Sequence, residues 1–406
     1  MKIVHISDCY LPRLGGIEVQ VHDLAAHQLA AGYEVEILTC TPATQARGIR
    51  ARKAQARKTQ APETPAPGNS LLPVRRMTSN RALVPSARTR RQLHGLLSAD
   101  TVDAVHIHSS VLSPFAWTAA RLASAAAIPT VVTMHSIVPS RGPLLPLSAS
   151  LLGWPRWPVA WSAVSDVAAA PLRSLLGSTP VSVLPNGIDP TAWHSPQPRR
   201  HGAPLTIVSV MRLAQRKRPL ALLRTLAAIR AALPADVPLR AVLIGEGPQR
   251  PRMERYLRAE GMQSWVTLTG RLTRAQIRPL LAAADVYLAP AELESFGIAA
   301  LEARCAGLPV VAMAQGGVGE FIRNGQEGFL VHSDREMVKV TADLLTSPLL
   351  RVMQERNRRS EPEMTWPHVV GLSLDLYLRG WEAAAHATST WSAAGQSAQA
   401  PMVQAG

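Results

Sequence analysis

The sequence predicts an α/β protein made of two Rossmann-like, doubly wound parallel-sheet domains that face a cleft. Its 406 residues exceed what one hydrophobic core usually organises, so two domains are expected. Continuous runs of Val, Ile and Leu alternate with Ala-rich helical stretches, which is typical of parallel strands buried on both faces. The alternation stops at a Pro- and Arg-rich stretch, residues 194–204, and then starts again.

The first domain is predicted over residues 1–193. A helix is expected over 16–32, with Gly32 ending it. The strands of this domain are predicted from six apolar runs: KIVHIS (2–7), EVEILTC (34–40), DAVHIHS (103–109), TVVTMH (130–135), AWSAVS (160–165) and VSVLPNG (181–187).

Residues 194–204 are predicted to link this domain to a second, similar one over 205–364. A last helix over 365–385 is expected to cross back to the first domain. Beyond it, 386–406 is small, polar and low in charge, and we predict a disordered tail. The strand-like runs of the second domain are LTIVSVMRL (205–213), LRAVLIGEG (239–247), SWVTLTGR (264–271), ADVYLAP (284–290), LPVVAM (308–313) and EGFLVH (327–332).

The cysteines and the N-terminus indicate a reducing compartment. Cys9, Cys40 and Cys305 are too few and too scattered for a disulfide framework or a Cys-based metal site. The first apolar run reaches only to Ser7 and Asp8, so it lacks the long apolar core of a signal peptide. We therefore expect a cytoplasmic location.

Ligands of doubly wound sheets bind outside the carboxyl ends of the strands, and the first loop there is YLPRLGGIE. Gly15 and Gly16 directly precede a predicted helix. Glycines at this position let backbone N–H groups approach a ligand, and a helix start favours an anion such as phosphate. A plain turn has the same composition, so the pair alone decides nothing.

Cations cluster in a second loop, in the sequence SVMRLAQRKRPL. A strand is predicted to end at Arg212, and Lys217 follows between Arg216 and Arg218. Several cations together are costly unless they face solvent or neutralise an anion. A solvated, charged turn explains Arg216 and Arg218, whereas the strand-end position of Arg212 and Lys217 favours phosphate.

Two acids flank a helix start in the third loop, PAELESFGIAALEARCAGLP. Ser295 is predicted to cap a helix that begins near Phe296, with Glu294 before the cap and Glu302 about two turns in. Carboxylates accept hydrogen bonds from hydroxyls, so the pair suits a ligand with two polyol groups separated by an anionic one. The alternative makes Glu294 a helix-dipole partner and Glu302 an ordinary surface acid.

These motifs together resemble a known family. ESFGIAALEARCAGLPVV is similar to the E-x7-E element of the retaining glycosyltransferases of family 4, also called glycosyl transferases group 1, which have the GT-B fold. GGIE, TMHS, AVSD, VLPNGID, MRLAQRK, LIGEGP, VTLTGR and GGVGEFI occur in the order and spacing of that family. The resemblance covers nearly all of residues 1–385.

The resemblance implies a role for each matching residue. Gly16 would approach the donor phosphate, Arg212 and Lys217 would neutralise the diphosphate leaving group, and Glu302 would hold the ribose hydroxyls. His135 would lie near the donor sugar and the reacting centre, although it could equally be a packing residue, as we expect for His106 and His108. Glu294 would bind the donor sugar, and the main chain would line the sugar, the phosphate and the base at Ser295, Phe296, Gly297 and Arg271.

The residues themselves predict that no metal ion is needed. No Asp-x-Asp occurs in the chain, so the usual carboxylate pair that holds a divalent ion on a sugar diphosphate is missing. We expect Arg212, Lys217 and helix N-terminal amides to stabilise the leaving group instead, with no metal and no other cofactor.

We therefore predict a hexosyltransferase that uses a nucleotide-diphosphate sugar. Retention of configuration is implied by the resemblance alone. A phosphorylase or a sugar-nucleotide epimerase on the same fold is the nearer alternative, and no lysine motif for a pyridoxal cofactor supports it. The alternative from another class is a basic protein that binds nucleic acid or membrane and has a catalytically idle body.

The net charge of +15 is concentrated in one segment. Residues 47–99 hold twelve Lys or Arg and one acid, Glu63, and the segment 47–91 is a predicted basic insertion. A solvated loop is one reading. Without aromatic residues it does not favour nucleic acid, whereas cations among leucines suit an anionic membrane surface where a lipid or lipid-linked acceptor resides. The predicted membrane contacts are Arg75, Arg76, Arg88, Arg90 and Arg91.

Overall fold

We describe a computed structural model of the chain. It covers residues 1–13, 15–43, 72–77, 85–97, 101–138, 153–194 and 204–397, with side chains as far as 387. Two parallel sheets make up the described part, and helices cover their faces. The predicted fold class, two doubly wound parallel-sheet domains, is confirmed.

The first sheet has seven parallel strands in the order β3-β2-β1-β4-β5-β6-β7. β3 lies in the basic segment and was not predicted; it adds an edge strand in register with Ile37–Thr39. The strands are β1 (Lys2–Ser7), β2 (Glu34–Thr39), β3 (Val74–Arg76), β4 (Ala104–Ser109), β5 (Thr130–Met134), β6 (Ala160–Ala163) and β7 (Val181–Val183).

The second sheet has six parallel strands in the order β10-β9-β8-β11-β12-β13. Its six strands all lie within the predicted apolar runs, and the first ends at Val210, so Arg212 lies in the loop after β8 and not on the strand. The strands are β8 (Leu205–Val210), β9 (Leu239–Ile244), β10 (Val266–Gly270), β11 (Val286–Ala289), β12 (Val310–Met313) and β13 (Gly328–Val331).

Eight of the described α-helices lie between strands, and the last three follow the final strand. They are α1 (Gly16–Ala30), α2 (Ala87–Leu97), α3 (Pro114–Ala125), α4 (Asp166–Leu176), α5 (Pro219–Ala232), α6 (Arg250–Ala259), α7 (Arg274–Ala282), α8 (Ile298–Cys305), α9 (Asp334–Thr346), α10 (Leu349–Arg359) and α11 (Trp366–Ser397).

Helix α11 corrects the predicted C-terminal boundary. It packs on α1, β4, β5 and β6 of the first domain, so the predicted crossing back occurs. It also continues to Ser397, past the predicted end at 385 and into the segment we expected to be disordered. Residues 398–406 lie outside the described part of the chain.

The strand order places a switch point in each sheet. Connections run outward in opposite directions from β1 and β4 in the first sheet, and from β8 and β11 in the second. In such sheets the crevice at the switch point is where ligands bind. The loops after β8 and β11 carry the predicted cations and acids, so the topology brings both loops to one crevice.

Candidate active site

The clearest contact of the site joins two residues that sequence analysis assigned to it. Lys217, in a short 3₁₀ turn after β8, donates a hydrogen bond from Nζ to Oε2 of Glu294, which follows β11. Their side chains are 16% and 21% exposed, so the pair is half-buried but reachable. A cation and an acid, both predicted to bind the donor, thus lie side by side at the switch point.

The other arginines of this loop differ in their surroundings. Arg212 and Arg216 are exposed. Arg218 is not the solvated residue we expected: its guanidinium forms two hydrogen bonds with Asp334, at 2.9 and 2.8 Å, and lies 3.2 Å from Glu292. Arg218 has a left-handed backbone, with φ of 55°, and these contacts hold it there, which fixes the turn that presents Lys217.

The helix start after Glu294 differs from the prediction. Helix α8 begins at Ile298 and its N-cap is Gly297, at φ 94°, with no side-chain cap, so the prediction that Ser295 caps a helix near Phe296 is wrong. A left-handed φ suits glycine and disfavours other residues. The turn is packed tightly, because a Cβ on Gly297 would lie 2.8 Å from Val318 and one on Gly317 would lie 2.4 Å from the carbonyl oxygen of Ser295.

Ser295 and Phe296 also make contacts within the protein that the prediction did not include. The carbonyl oxygen of Ser295 accepts a 2.5 Å hydrogen bond from Ser165 Oγ of the first domain. The ring of Phe296 is 1% exposed and packs against Phe321 at a centroid distance of 5.3 Å. The ring of Phe296 is therefore part of the core, whereas Ser295 is only partly buried.

Glu302 is not an ordinary surface acid. It is 6% exposed, and its Oε1 lies 3.4 Å from Nε of Arg274, whose Nη1 donates to Asp23 Oδ2 at 2.7 Å. Asp23 lies on α1 in the first domain, so a three-residue bridge (Asp23, Arg274, Glu302) crosses the cleft. Neither Asp23 nor Arg274 was predicted.

Burial also changes the acidity of Glu302. Removal from water raises its pKa to about 7, although Arg274 acts in the opposite direction. Burial disfavours a carboxylate unless hydrogen-bond donors surround it.

The glycine loop lies at the start of α1, the helix that carries Asp23. The Glu18 carboxylate folds over Gly15, so a Cβ at residue 15 would lie 2.3 Å from Oε2 and would displace that side chain. Glu18 is buried and is held by Nε of Arg13 at 3.0 Å. A Cβ on Gly16 would meet nothing within 4 Å, which leaves space for a ligand beside its backbone.

His135 follows β5 and ends a buried chain of histidines. Its Nε2 lies 3.0 Å from Nδ1 of His108, and burial lowers its pKa to about 4. His106 and His108 are buried on β4, as expected. His5, His106 and His108 bring ring nitrogens within 4.8 Å of one another, a cluster that sequence analysis missed because it spans two strands.

The remaining predictions concern exposed residues. Arg271 follows β10 and its side chain is exposed. Arg88, Arg90 and Arg91 are exposed on α2, whereas Arg75 pairs with Glu36 at 2.9 Å and Arg76 donates to the Thr41 carbonyl at 2.7 Å. Most of the basic insertion, 47–71 and 78–84, lies outside the described residues.

The leucines of α2 do not form a membrane face. Leu93 and Leu97 are 0% and 3% exposed within the core of the first domain, and Leu96 packs against the same cluster. The apolar side of this helix is therefore already buried. The prediction of leucines lying on a bilayer is wrong for these three, and only the arginine side remains free. Among the described helices, none has the length and hydropathy needed to span a bilayer.

Two family models match the chain consecutively. The model described as Glycosyltransferase Family 4 matches residues 14–192, and the one described as Glycosyl transferases group 1 matches residues 193–361. The chain belongs to the family 4 glycosyltransferases. Its parallel-sheet domains and its structural neighbours give it the GT-B fold.

Curated relatives of this glycosyltransferase include two proteins with phosphatidylinositol in their names. A subunit of the human phosphatidylinositol N-acetylglucosaminyltransferase is 27% identical over 328 residues, 79% of this chain and 63% of the human protein. The chain thus spans less than two thirds of that relative. A GDP-mannose-dependent alpha-(1-6)-phosphatidylinositol dimannoside mannosyltransferase of Mycobacterium tuberculosis is 26% identical over 90% of this chain and 93% of its own length.

Solved structures confirm the fold. The Anabaena protein HepE, crystallised with UDP and glucose, superposes with a TM-score of 0.69 at 16% identity, over 92% of this chain and 98% of its own. WaaG, a glycosyltransferase involved in lipopolysaccharide biosynthesis, gives a TM-score of 0.62 at 19% identity, over 94% and 98%.

Proposed function

We propose that this glycosyltransferase moves a hexose from a nucleotide-diphosphate sugar to an acceptor hydroxyl, with retention and without a metal ion. The contact between Lys217 and Glu294 carries the proposal. Donor transfer separates a sugar from a diphosphate, so the enzyme must hold hydroxyls on one side of the breaking bond and negative charge on the other. The Glu294 carboxylate can accept hydrogen bonds from hydroxyls, and the Lys217 ammonium can pair with negative charge. The two groups are in contact, so together they match both needs.

The leaving diphosphate is stabilised by fixed positive charge in this proposal. Lys217 and the exposed Arg212 provide it at the carboxyl end of β8, and cations aimed at developing charge are a large source of rate enhancement. The absence of an Asp-x-Asp pair from the sequence supports metal independence. Glu302 holds the ribose, and His135 contacts the transferred sugar.

The acceptor in this proposal is a lipid or lipid-linked hydroxyl at the cytoplasmic face of a membrane. Two relatives bear phosphatidylinositol in their names. The exposed Arg88, Arg90 and Arg91 of α2 belong to the first domain, and basic residues are attracted to anionic lipid headgroups. The enzyme is then peripheral, held by charge.

The test is hydrolysis and transfer across a panel of nucleotide sugars, with and without a chelator. We expect one donor to be cleaved at the same rate in both conditions. Lys217→Ala and Arg212→Ala each remove a charge-assisted contact worth roughly 1.5–3 kcal/mol, so donor affinity should fall by more than tenfold. Arg216→Ala is the matched control, an exposed arginine of the same loop, and should bind normally.

Three results overturn the proposal. Loss of all activity with chelator, restored by a divalent ion, removes metal independence. An Arg216→Ala defect equal to that of Arg212→Ala shows that the loop acts through bulk charge alone. Stabilisation by oligonucleotides in a thermal-shift assay, with none by any nucleotide diphosphate, favours a basic binding protein with an idle body.

A further inference from the structure

A hydrogen-bonded chain runs through the first sheet from Gln28 to His135. Gln28 Oε1 lies 2.7 Å from His5 Nε2, His5 Nδ1 lies 2.9 Å from His108 Nε2, and His108 Nδ1 lies 3.0 Å from His135 Nε2. His5 is on β1 and His108 on the adjacent β4, which places their rings side by side. Gln28, His5 and His108 are at most 3% exposed.

The orientation of the Gln28 amide is set by the crossover helix α11. Its Nε2 is 3.0 Å from Ser373 Oγ and 2.9 Å from the Tyr377 hydroxyl. Ser373 Oγ donates its own hydrogen to the Val370 carbonyl at 2.7 Å, so it accepts from Gln28. The Oε1 atom therefore faces His5 and can only accept a hydrogen bond, which assigns the proton to Nε2 of His5.

That assignment propagates along the chain. Burial lowers the pKa of His5 to about 4 and that of His108 well below its usual range, so the rings are neutral at pH 7. A neutral imidazole has one donor and one acceptor nitrogen. His5 Nδ1 therefore accepts from His108 Nε2, and His108 Nδ1 accepts from His135 Nε2. Nδ1 of His135 is left as an acceptor, and no described protein group donates to it.

We propose that Gln28, His5 and His108 are positioning residues that hold His135 in its Nε2–H tautomer, so that Nδ1 accepts a hydrogen bond from a hydroxyl of the transferred sugar. The inference rests on the proposed function, in which His135 contacts that sugar. Hydrogen bonding to one imidazole nitrogen determines the role of the other. The opposite tautomer presents a donor to the hydroxyl and forces it to turn its own hydrogen away.

A metal ion is the competing use of this cluster. His5, His106 and His108 bring ligand atoms within 4.8 Å. All six ring nitrogens already have partners, however, because His106 Nδ1 lies 2.9 Å from the Tyr377 hydroxyl and its Nε2 lies 2.7 Å from Thr133 Oγ1. An ion would have to break at least one hydrogen bond of each histidine, so the geometry favours the relay.

His106 supplies a matched control. It is as buried as His5 and stacks on His108 with ring centroids 4.1 Å apart. Its Nε2 leads through Thr133 to Ser162 Oγ at 2.7 Å, and its Nδ1 leads to the Tyr377 hydroxyl, which also contacts Gln28 Nε2. Neither nitrogen is a link between Gln28, His5, His108 and His135, and Gln28 keeps its contact with Ser373 when His106 is replaced. Replacing His106 therefore removes an equally buried ring from β4 without breaking the chain.

The experiment reads tautomers and kinetics together. In ¹⁵N-labelled wild-type protein, long-range ¹H–¹⁵N correlation is expected to show His135 protonated at Nε2 only. His5→Leu removes the acceptor for His108, so His108 and His135 should switch to Nδ1–H and kcat should fall about tenfold, with donor KM within threefold. His5→Asn, whose Oδ1 can replace the accepting Nδ1, should restore the wild-type tautomer and most of kcat. His106→Leu should lower Tm comparably and keep both.

Each other outcome contradicts the relay. His135 protonated at Nδ1 in the wild type overturns it without any variant, even if His5→Leu fails to fold. Equal kcat losses in His5→Leu and His106→Leu make the cluster only structural, and a shift of these imidazole resonances with Zn²⁺ makes it a metal site. If no nucleotide sugar is cleaved, the proposed function fails while the tautomer measurement still tests the chain.

Discussion

Two glutamates of the site differ in burial, although sequence alone gives them the same chemical type. Glu294 is half-buried and held by Lys217, whereas Glu302 is buried beneath the interdomain arginine Arg274. In the proposed function Lys217 binds the diphosphate, so the carboxylate beside it can respond to charge that develops during transfer. A buried carboxylate away from that cation contributes to binding only.

We expect the two acids to separate kinetically. Glu294→Gln removes a charge-assisted hydrogen bond to the sugar and releases Lys217, so kcat should fall by more than tenfold with little change in nucleotide affinity. Glu302→Gln should weaken nucleotide binding by a similar factor and spare kcat. A charge-assisted bond is worth roughly 1.5–3 kcal/mol. Calorimetry with the nucleotide diphosphate and steady-state kinetics make the comparison, and near-wild-type behaviour of both variants contradicts it.

The pKa of about 7 for Glu302 predicts a pH dependence of nucleotide affinity. The carboxylate form accepts hydroxyl hydrogen bonds more strongly than the neutral acid, so affinity should rise by about fivefold from pH 6 to pH 8, the difference between a charged and a neutral hydrogen bond. Arg274→Ala removes a group that lowers this pKa, so the midpoint should move to higher pH.

Glu302→Gln is the control for that titration, because it cannot ionise. The same pKa shift makes folding stability fall as pH rises, whereas nucleotide affinity rises. A folded-state pKa above the unfolded value means that the folded protein loses stability as pH rises from about 4.5 to about 7, and the glutamine variant should not show this loss. A midpoint unchanged in Glu302→Gln assigns the titration to another group.

At the scale of elements, the sheets and their loops could be predicted because apolar runs repeat with strand and helix spacing. The start of α8 could not, since it depends on the left-handed turn at Gly297 and its packing under Val318. The contact between Asp23 and Arg274, which links Glu302 to the first domain, could not be predicted either. Asp23 and Arg274 are 251 residues apart in the chain, and no local spacing indicates that they meet.

The helix α2 shows the same limit and gives a prediction. Arginines among leucines indicated a membrane face, but the leucines complete the core and leave Arg88, Arg90 and Arg91 exposed. Each basic residue near an anionic bilayer contributes about 1 kcal/mol. We therefore expect the triple Gln variant to bind anionic vesicles about 100-fold more weakly at low salt, with donor hydrolysis unchanged.

The matched control for α2 lies on α6 of the second domain. Arg252, Arg255 and Arg258 are exposed there, and their triple Gln variant has the same net charge as the α2 variant. It should retain vesicle binding. Equal losses in the two triple variants indicate an effect of net charge, and equally strong binding to neutral vesicles leaves a soluble acceptor as the better assignment.

For the whole molecule, the cleft is crossed by few polar contacts among the described residues. Asp23 bonds Arg274, Ser165 Oγ donates to the Ser295 carbonyl, and the backbone N–H of Asp166 donates to Glu320. The first of these contacts reaches Arg274, which pairs with Glu302, and the second reaches Ser295, which directly follows Glu294. Domain closure and donor binding are therefore expected to be coupled, as hinge closure is in enzymes that must exclude water.

Replacing Asp23, which lies in the first domain, tests whether domain closure and donor binding are coupled. Asp23→Asn removes the charge that holds Arg274 across the cleft but leaves the contact between Arg274 and Glu302 in place. A partly exposed ion pair contributes up to about 1 kcal/mol, so kcat/KM for transfer should fall about fivefold, and small-angle scattering should show a more open average shape with bound nucleotide. Asp343→Asn is the matched control, because it removes an exposed ion pair with Lys339 at 2.8 Å within α9. An Asp23→Asn enzyme that matches this control in rate and shape means that the bridge does not hold the domains together.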